Sequence, residues 1–167
     1  MIETDNDAME DIADLYAQLG HLAAVIDKQA EQLLQEQLGI GTSQYRILAE
    51  LSAETGTKQR KLAQNLGQTE ASISRQIKLL AEKNLAMARQ NRSSKREQLV
   101  LLTGKGVKLT EAAKTILETA AREDADPIKP RHLQHLKEGL DELHASLCQP
   151  GRTGACDHFM SINTSIS

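Results

Sequence analysis

Residues 57–106 read TKQRKLAQNLGQTEASISRQIKLLAEKNLAMARQNRSSKREQLVLLTGKG, and the order of patterns in this stretch decides the fold. Leu62, Ala63 and Leu66 mark a short helix that Thr57 is placed to cap and Gly67 to close. Thr69 begins the next helix, in which Ile73, Ile77 and Leu80 fall at i, i+4 and i+7 and form one core stripe. Lys83-Asn84-Leu85 ends it, because Asn tolerates the left-handed backbone that a helix terminus requires. An extended run from Leu85 to Gln90, a polar basic stretch from Asn91 to Arg96, and a second extended run from Gln98 to Thr103 read as a β-hairpin with a basic tip.

Two helices joined by a tight turn and followed by such a hairpin make a winged helix–turn–helix. A 100° projection from Ile73 places Gln68, Ala71, Ser72, Arg75 and Lys78 broadly opposite the core stripe. Small and polar side chains at the N-terminal end permit close approach, with Gln68 and Ser72 suited to base edges and Arg75 to guanine or phosphate. Together with Thr69 and Ser74, and with Arg92, Lys95 and Arg96 of the hairpin, these residues are the candidate surface for double-stranded DNA. The plainer reading is a solvated helix face with ordinary surface charges. The hairpin beside it favours the first reading.

Working outward, Ala8, Ile12, Leu15, Leu19, Leu22, Ile26, Ala30 and Leu33 step by three and four over 7–38, one face of a long amphipathic helix that Gly39 terminates. Thr42 or Ser43 is expected to cap a short helix containing Ile47, Leu48 and Leu51. Beyond the hairpin, Gly104 and Gly106 precede a fifth helix over roughly 107–123, and 124–130 breaks it. Leu133, Leu136, Leu140, Leu143 and Leu147 then mark a sixth. Residues 151–167 have little periodicity and are expected to form a mobile tail.

The chain has 167 residues, with 20 Lys and Arg against 23 Asp and Glu, a net charge of −3 that looks unfavourable for a polyanion partner. The total hides two unlike parts. Residues 58–108 hold twelve bases and three acids, a net +9, while the remainder carries eight bases and twenty acids, a net −12. A +9 block of about fifty residues is an electrostatic footprint for nucleic acid. Lys58, Arg60 and Lys61 add a local conflict. They occupy the first turn of the third helix, where the macrodipole disfavours cations by ~0.3–1 kcal/mol each, so they are candidate phosphate contacts. A plain exposed surface is the alternative for them. Only three aromatic residues (Tyr16, Tyr45, Phe159) leave little for stacking on single strands, and twenty-three leucines favour packed helices over a β-sandwich.

The stretch from Thr42 to Gly106 resembles the MarR family of transcription regulators. The likeness rests on Gln44-Tyr45-Arg46-Ile47-Leu48, Lys61-Leu62-Ala63, Ser72-Ile73-Ser74-Arg75, Leu79 to Leu85, and Leu102-Thr103-Gly104-Lys105-Gly106. In the wing, Arg96 matches the family arginine, whereas Ser94 stands in place of the usual aspartate that helps pin the wing. Asn84 stands where the family usually has Gly. The resemblance implies a mainly α fold with a small β-hairpin wing: a winged helix–turn–helix lobe, about 42–106, on a helical dimerisation body, about 7–38 and 107–148, in one domain over 1–150. It implies a homodimer joined through Ile12, Leu15, Leu19, Leu22, Leu133, Leu136, Leu140 and Leu143, facing a pseudo-palindromic operator. It further implies a repressor that a small-molecule effector releases. No residue singles out that effector.

Other functions fit less well. His132 and His135 at i, i+3, with His144 and Cys156-Asp157-His158, suggest a metal sensor, but the spacing is generic and surface histidines are the weightier reading. Cys148 and Cys156 suggest a redox pair, yet neither has an adjacent base to lower its thiol pKa. No nucleophile elbow, phosphate loop or HExxH motif points to an enzyme, and neither a cofactor nor a metal is expected. A winged-helix protein-interaction module, an adaptor or antirepressor without DNA binding, is the competing class. The acidic N-terminus, with no apolar segment after it and no apolar run longer than Leu22–Ile26, predicts a cytoplasmic protein without membrane contact.

Overall fold

The computed structural model describes the backbone of residues 3–91 and 94–147, with side-chain environments for 11–90 and 98–147. Its elements in chain order are α1 (Glu3–Leu38), α2 (Thr42–Ala49), β1 (Thr57–Lys58), α3 (Gln59–Asn65), α4 (Glu70–Glu82), β2 (Ala86–Asn91), β3 (Ser94–Leu102), α5 (Gly104–Ala125) and α6 (Pro130–Leu147). The expected mainly α architecture with a hairpin wing is present. The chain divides into two compact units, Met1–Thr42 and Ser43–Ser167.

In the first unit, α1 ends where Gly39 adopts a φ of +64°, with the Gly39 amide donating to the Gln35 carbonyl at 3.1 Å. The next helix is capped by neither Thr42 nor Ser43, the two expected candidates, since both lie within it. Thr42 is itself its first residue, and its amide and hydroxyl both donate to the Glu31 carboxylate, at 2.6 and 2.7 Å. A carboxylate from α1 thus satisfies an orphan donor at the positive end of α2. The apolar stripe of α1 is largely uncovered: Ile12, Leu15 and Leu22 are exposed, Leu22 by 55%.

The second unit is built on Ile47, Leu48, Leu51, Leu62, Ile73, Ile77, Leu80, Leu85, Val100 and Leu101, all buried. Burial of each such side chain stabilises by roughly 1.5–3 kcal/mol, so α2, α3, α4 and the sheet share one apolar core. The sheet has the order β1-β3-β2 and is antiparallel throughout. Here Thr57 departs from expectation. Instead of capping α3 it pairs with Val100, and Lys58 with Leu99, as a third strand. Gly56 makes that approach possible: it sits at φ +71°, and a Cβ there would lie 3.0–3.2 Å from the Leu99 and Leu101 side chains.

The fifth helix also starts earlier than its glycines suggest. Thr103 caps α5 by accepting from the Gly106 amide at 2.9 Å, which places Gly104 and Gly106 inside the first turn. The Thr103 hydroxyl lies 2.7 Å from the Asn84 carbonyl oxygen, and its amide donates to the Leu85 carbonyl at 3.1 Å, tying the start of α5 to the end of α4. On α6 no residue is buried, and its Leu136 and Leu140 are 54% and 41% exposed. No helix among the described residues is long and apolar enough to cross a membrane.

Candidate nucleic-acid interface

The turn between α3 and α4 is held by backbone geometry on one side and a side-chain cap on the other. At the end of α3, Gly67 sits at φ +60°, its amide donates to Gln64 at 3.3 Å, and the Gln68 amide reaches back to Ala63 at 2.9 Å. This is the 6→1 and 5→2 pair of a Schellman ending, and only Gly takes that φ without a Cβ penalty. One residue later Thr69 is the N-cap of α4, its hydroxyl oxygen accepting from the Ser72 amide at 3.2 Å. Gln68 therefore precedes α4 and does not lie on its face, as the helical projection implied.

Within α4, Ile73, Ile77 and Leu80 are buried, and Ala71, Ser74, Arg75 and Lys78 are exposed. The Arg75 Nε donates weakly to the Ala71 carbonyl at 3.4 Å, so its guanidinium leans along the outer face of the helix. Ser72 lies half-buried on the shoulder of that face. Its hydroxyl donates to the Gln68 Oε1 at 3.1 Å. Helical periodicity did not announce this bond, because it joins a helix residue to one before the cap. Further along the same shoulder, the Gln76 Oε1 is buried without a partner among the described residues.

The basic residues of α3 begin at its boundary. Lys58 is the N-cap, with an extended backbone and no side-chain cap bond, and Arg60 and Lys61 are exposed in the first turn. The unfavourable interaction with the macrodipole thus falls mainly on Arg60 and Lys61.

The two strands reach further toward the hairpin tip than the sequence implied. β2 and β3 pair from Ala86–Leu102 to Gln90–Gln98, and Asn91 then pairs with Ser94. Residues 95–97 of β3 fall between those last two pairs, an irregularity in the ladder. Lys95 and Arg96 therefore belong to the backbone of β3, not to a loop, while Arg92 and the side chains of 91–97 lie outside the described residues. Cys148, Cys156, Asp157 and His158 lie outside them as well. Among the described residues no three His, Cys, Asp or Glu side chains gather as a metal-binding group.

The surface so assembled has a helix with a buried stripe and an outward face of small, polar and basic side chains, beside a two-stranded ribbon. That shape fits a major groove, which admits an α-helix, with the ribbon free to follow the backbone. A model of the MarR family matches residues 40–98. Among solved structures, the fold is similar to that of a MarR-like transcription regulator from Bacillus cereus ATCC 10987, with 20% identity, a TM-score of 0.74, and coverage of 83% of this chain and 99% of that one. A MarR/EmrR family transcriptional regulator from Acinetobacter sp. ADP1 aligns at 24% identity with a TM-score of 0.66, over 81% of this chain and 95% of that one. MepR of Staphylococcus aureus, in a complex with DNA, aligns at 24% identity with a TM-score of 0.66, over 81% and 97%. No curated protein matches the chain.

Proposed function

We propose, from the match of a MarR-family model to residues 40–98, that this chain is a member of that family and a sequence-specific regulator of transcription acting on double-stranded DNA. The observation that carries this reading is the outer face of α4. Ala71, Ser74, Arg75 and Lys78 are exposed over a fully buried stripe, in a segment of net charge +9. Gln68, Thr69, Ser72, Arg92, Lys95 and Arg96 complete the contact surface, and Lys58, Arg60 and Lys61 bind backbone phosphate. The chain works as a homodimer on a pseudo-palindromic site and represses until a small effector releases it; it is not an enzyme. The exposed apolar residues of α1 and of α6 support self-association, since uncovered stripes of that length call for a partner.

Selection of bound duplexes from random sequence tests the reading, followed by affinity measurements across a salt series. A palindromic consensus with steep loss of affinity as salt rises is expected. Binding indifferent to both sequence and salt overturns it. If charge reversal of Arg75 and Lys78 leaves duplex binding intact, the protein-interaction alternative takes its place.

A further inference from the structure

We propose that Arg89 and Lys58 bind the DNA backbone together, as two cations carried on one face of the sheet with Leu99 between them. The proposal rests on the DNA-binding reading above and deepens it by adding Arg89, a β2 residue outside the contact surface named there.

The register of the ladder puts the pair on one face. Lys58 stands opposite Leu99 on one side of β3, and Arg89 stands opposite Leu99 on the other. Residues directly opposite in an antiparallel ladder turn their side chains to the same face. Lys58 and Arg89 are therefore co-facial, two strand spacings or about 10 Å apart at their Cα atoms. At this row the face is open: Lys58 and Arg89 are exposed and Leu99 is half-buried. Val100 and Ala86, on the other face, are buried in the core. One row nearer α5, Leu101 on the face of Leu99 is buried too, so β3 begins to open at Leu99.

The row also lies between two groups of bases. Lys58 leads into Arg60 and Lys61 in the first turn of α3. In the other direction Arg89 stands two residues before Asn91, whose partner Ser94 precedes Lys95 and Arg96. Arg89 joins these groups, so that bases run from the start of α3 across the sheet and out along the ribbon. Two cations about a Debye length apart repel each other only weakly in physiological salt. Among the described residues no hydrogen bond or ion pair holds the Arg89 guanidinium, which leaves it able to turn to an anion. A phosphate backbone laid along the row neutralises both charges and releases counterions, without reading sequence.

The test measures affinity across a salt series for the full-length protein on the duplex that the wild type selects. The variants are Arg89→Gln, Arg89→Lys, Lys58→Gln, the Lys58→Gln/Arg89→Gln double variant, and Lys108→Gln as a control. Lys108 is an exposed base of α5 in the same +9 segment, away from the row. Arg89→Gln and Lys58→Gln are each expected to lower the slope of log affinity against log salt by about 0.9. The double variant is expected to lower it by about twice that, with the selected consensus unchanged. Arg89→Lys is expected to keep the wild-type slope, and Lys108→Gln to leave it nearly so. Either single variant of the pair changing the slope no more than Lys108→Gln overturns the proposal. So does an Arg89→Gln protein that loses stability in urea while its slope stays at the wild-type value, because the guanidinium then serves the hairpin. In both cases a steep wild-type slope leaves the DNA-binding reading standing. A wild type that binds no duplex removes both.

Discussion

A Cβ at Gly106 would overlap the Leu85 carbonyl oxygen, a backbone atom that cannot swing aside. The same carbonyl accepts from the Thr103 amide, so α5 can start here only if its first turn lies against the end of α4. Gly106→Ala is therefore expected to cost about 1–3 kcal/mol of unfolding free energy, toward the upper end, measured by urea denaturation. Asn84 makes the complementary case. It ends α4 at φ +58°, where its amide donates to Ala81 and that of Leu85 to Leu80, another Schellman pair. Asn84→Ala should lose about 1 kcal/mol in the same assay, whereas Asn84→Gly should be neutral or slightly stabilising. Asn84 was readable from sequence, because its role is local. Gly106 was not, because the atom that demands a glycine lies twenty-one residues upstream.

Among the elements, an exposed carboxylate of α1 meets Thr42, the first residue of α2. The two bonds from Thr42 hold the Glu31 carboxyl below the usual carboxylate range, with desolvation opposing them weakly. A lowered folded-state pKa means a contribution that is present above the ordinary glutamate value and lost as pH falls through the folded one. Wild type should therefore lose more stability than Glu31→Gln on acidification through that window. Solvent screening should keep the difference below about 1 kcal/mol. Gly41 belongs to the same device, since a Cβ there would stand 2.7 Å from the Glu31 Oε1. Gly41→Ala should displace the carboxylate, and combining it with Glu31→Gln should cost little more than either alone, as a double-mutant cycle would show. Neither Glu31 nor β1 was legible beforehand. A two-residue strand has no periodicity to detect, and the cap comes from eleven residues upstream.

For the whole molecule, charge and apolar surface make separate predictions. Replacing Lys58, Arg60 and Lys61 by Gln should weaken duplex binding alike for all sequences and lower the salt slope by about one per lost contact. In the proposed homodimer the exposed leucines of α6 lie between the two copies. Leu136→Asp with Leu140→Asp should yield monomers by sedimentation, and duplex affinity should fall because a single half-site remains. What the sequence by itself determined was the order of the six helices and the two hairpin strands, the buried stripe of α4, the Gly39 and Gly67 endings, and the segregation of +9 from −12. All of these follow from periodicity, local backbone preference or composition, which need no distant partner. Tertiary structure alone decided that Thr57 joins a sheet, that Thr42 is capped by Glu31 rather than capping, that Gly106 lies against Leu85, and that Ser72 holds Gln68. Each of these depends on atoms brought together by folding, and spacing along a chain carries no record of which donor will face which acceptor.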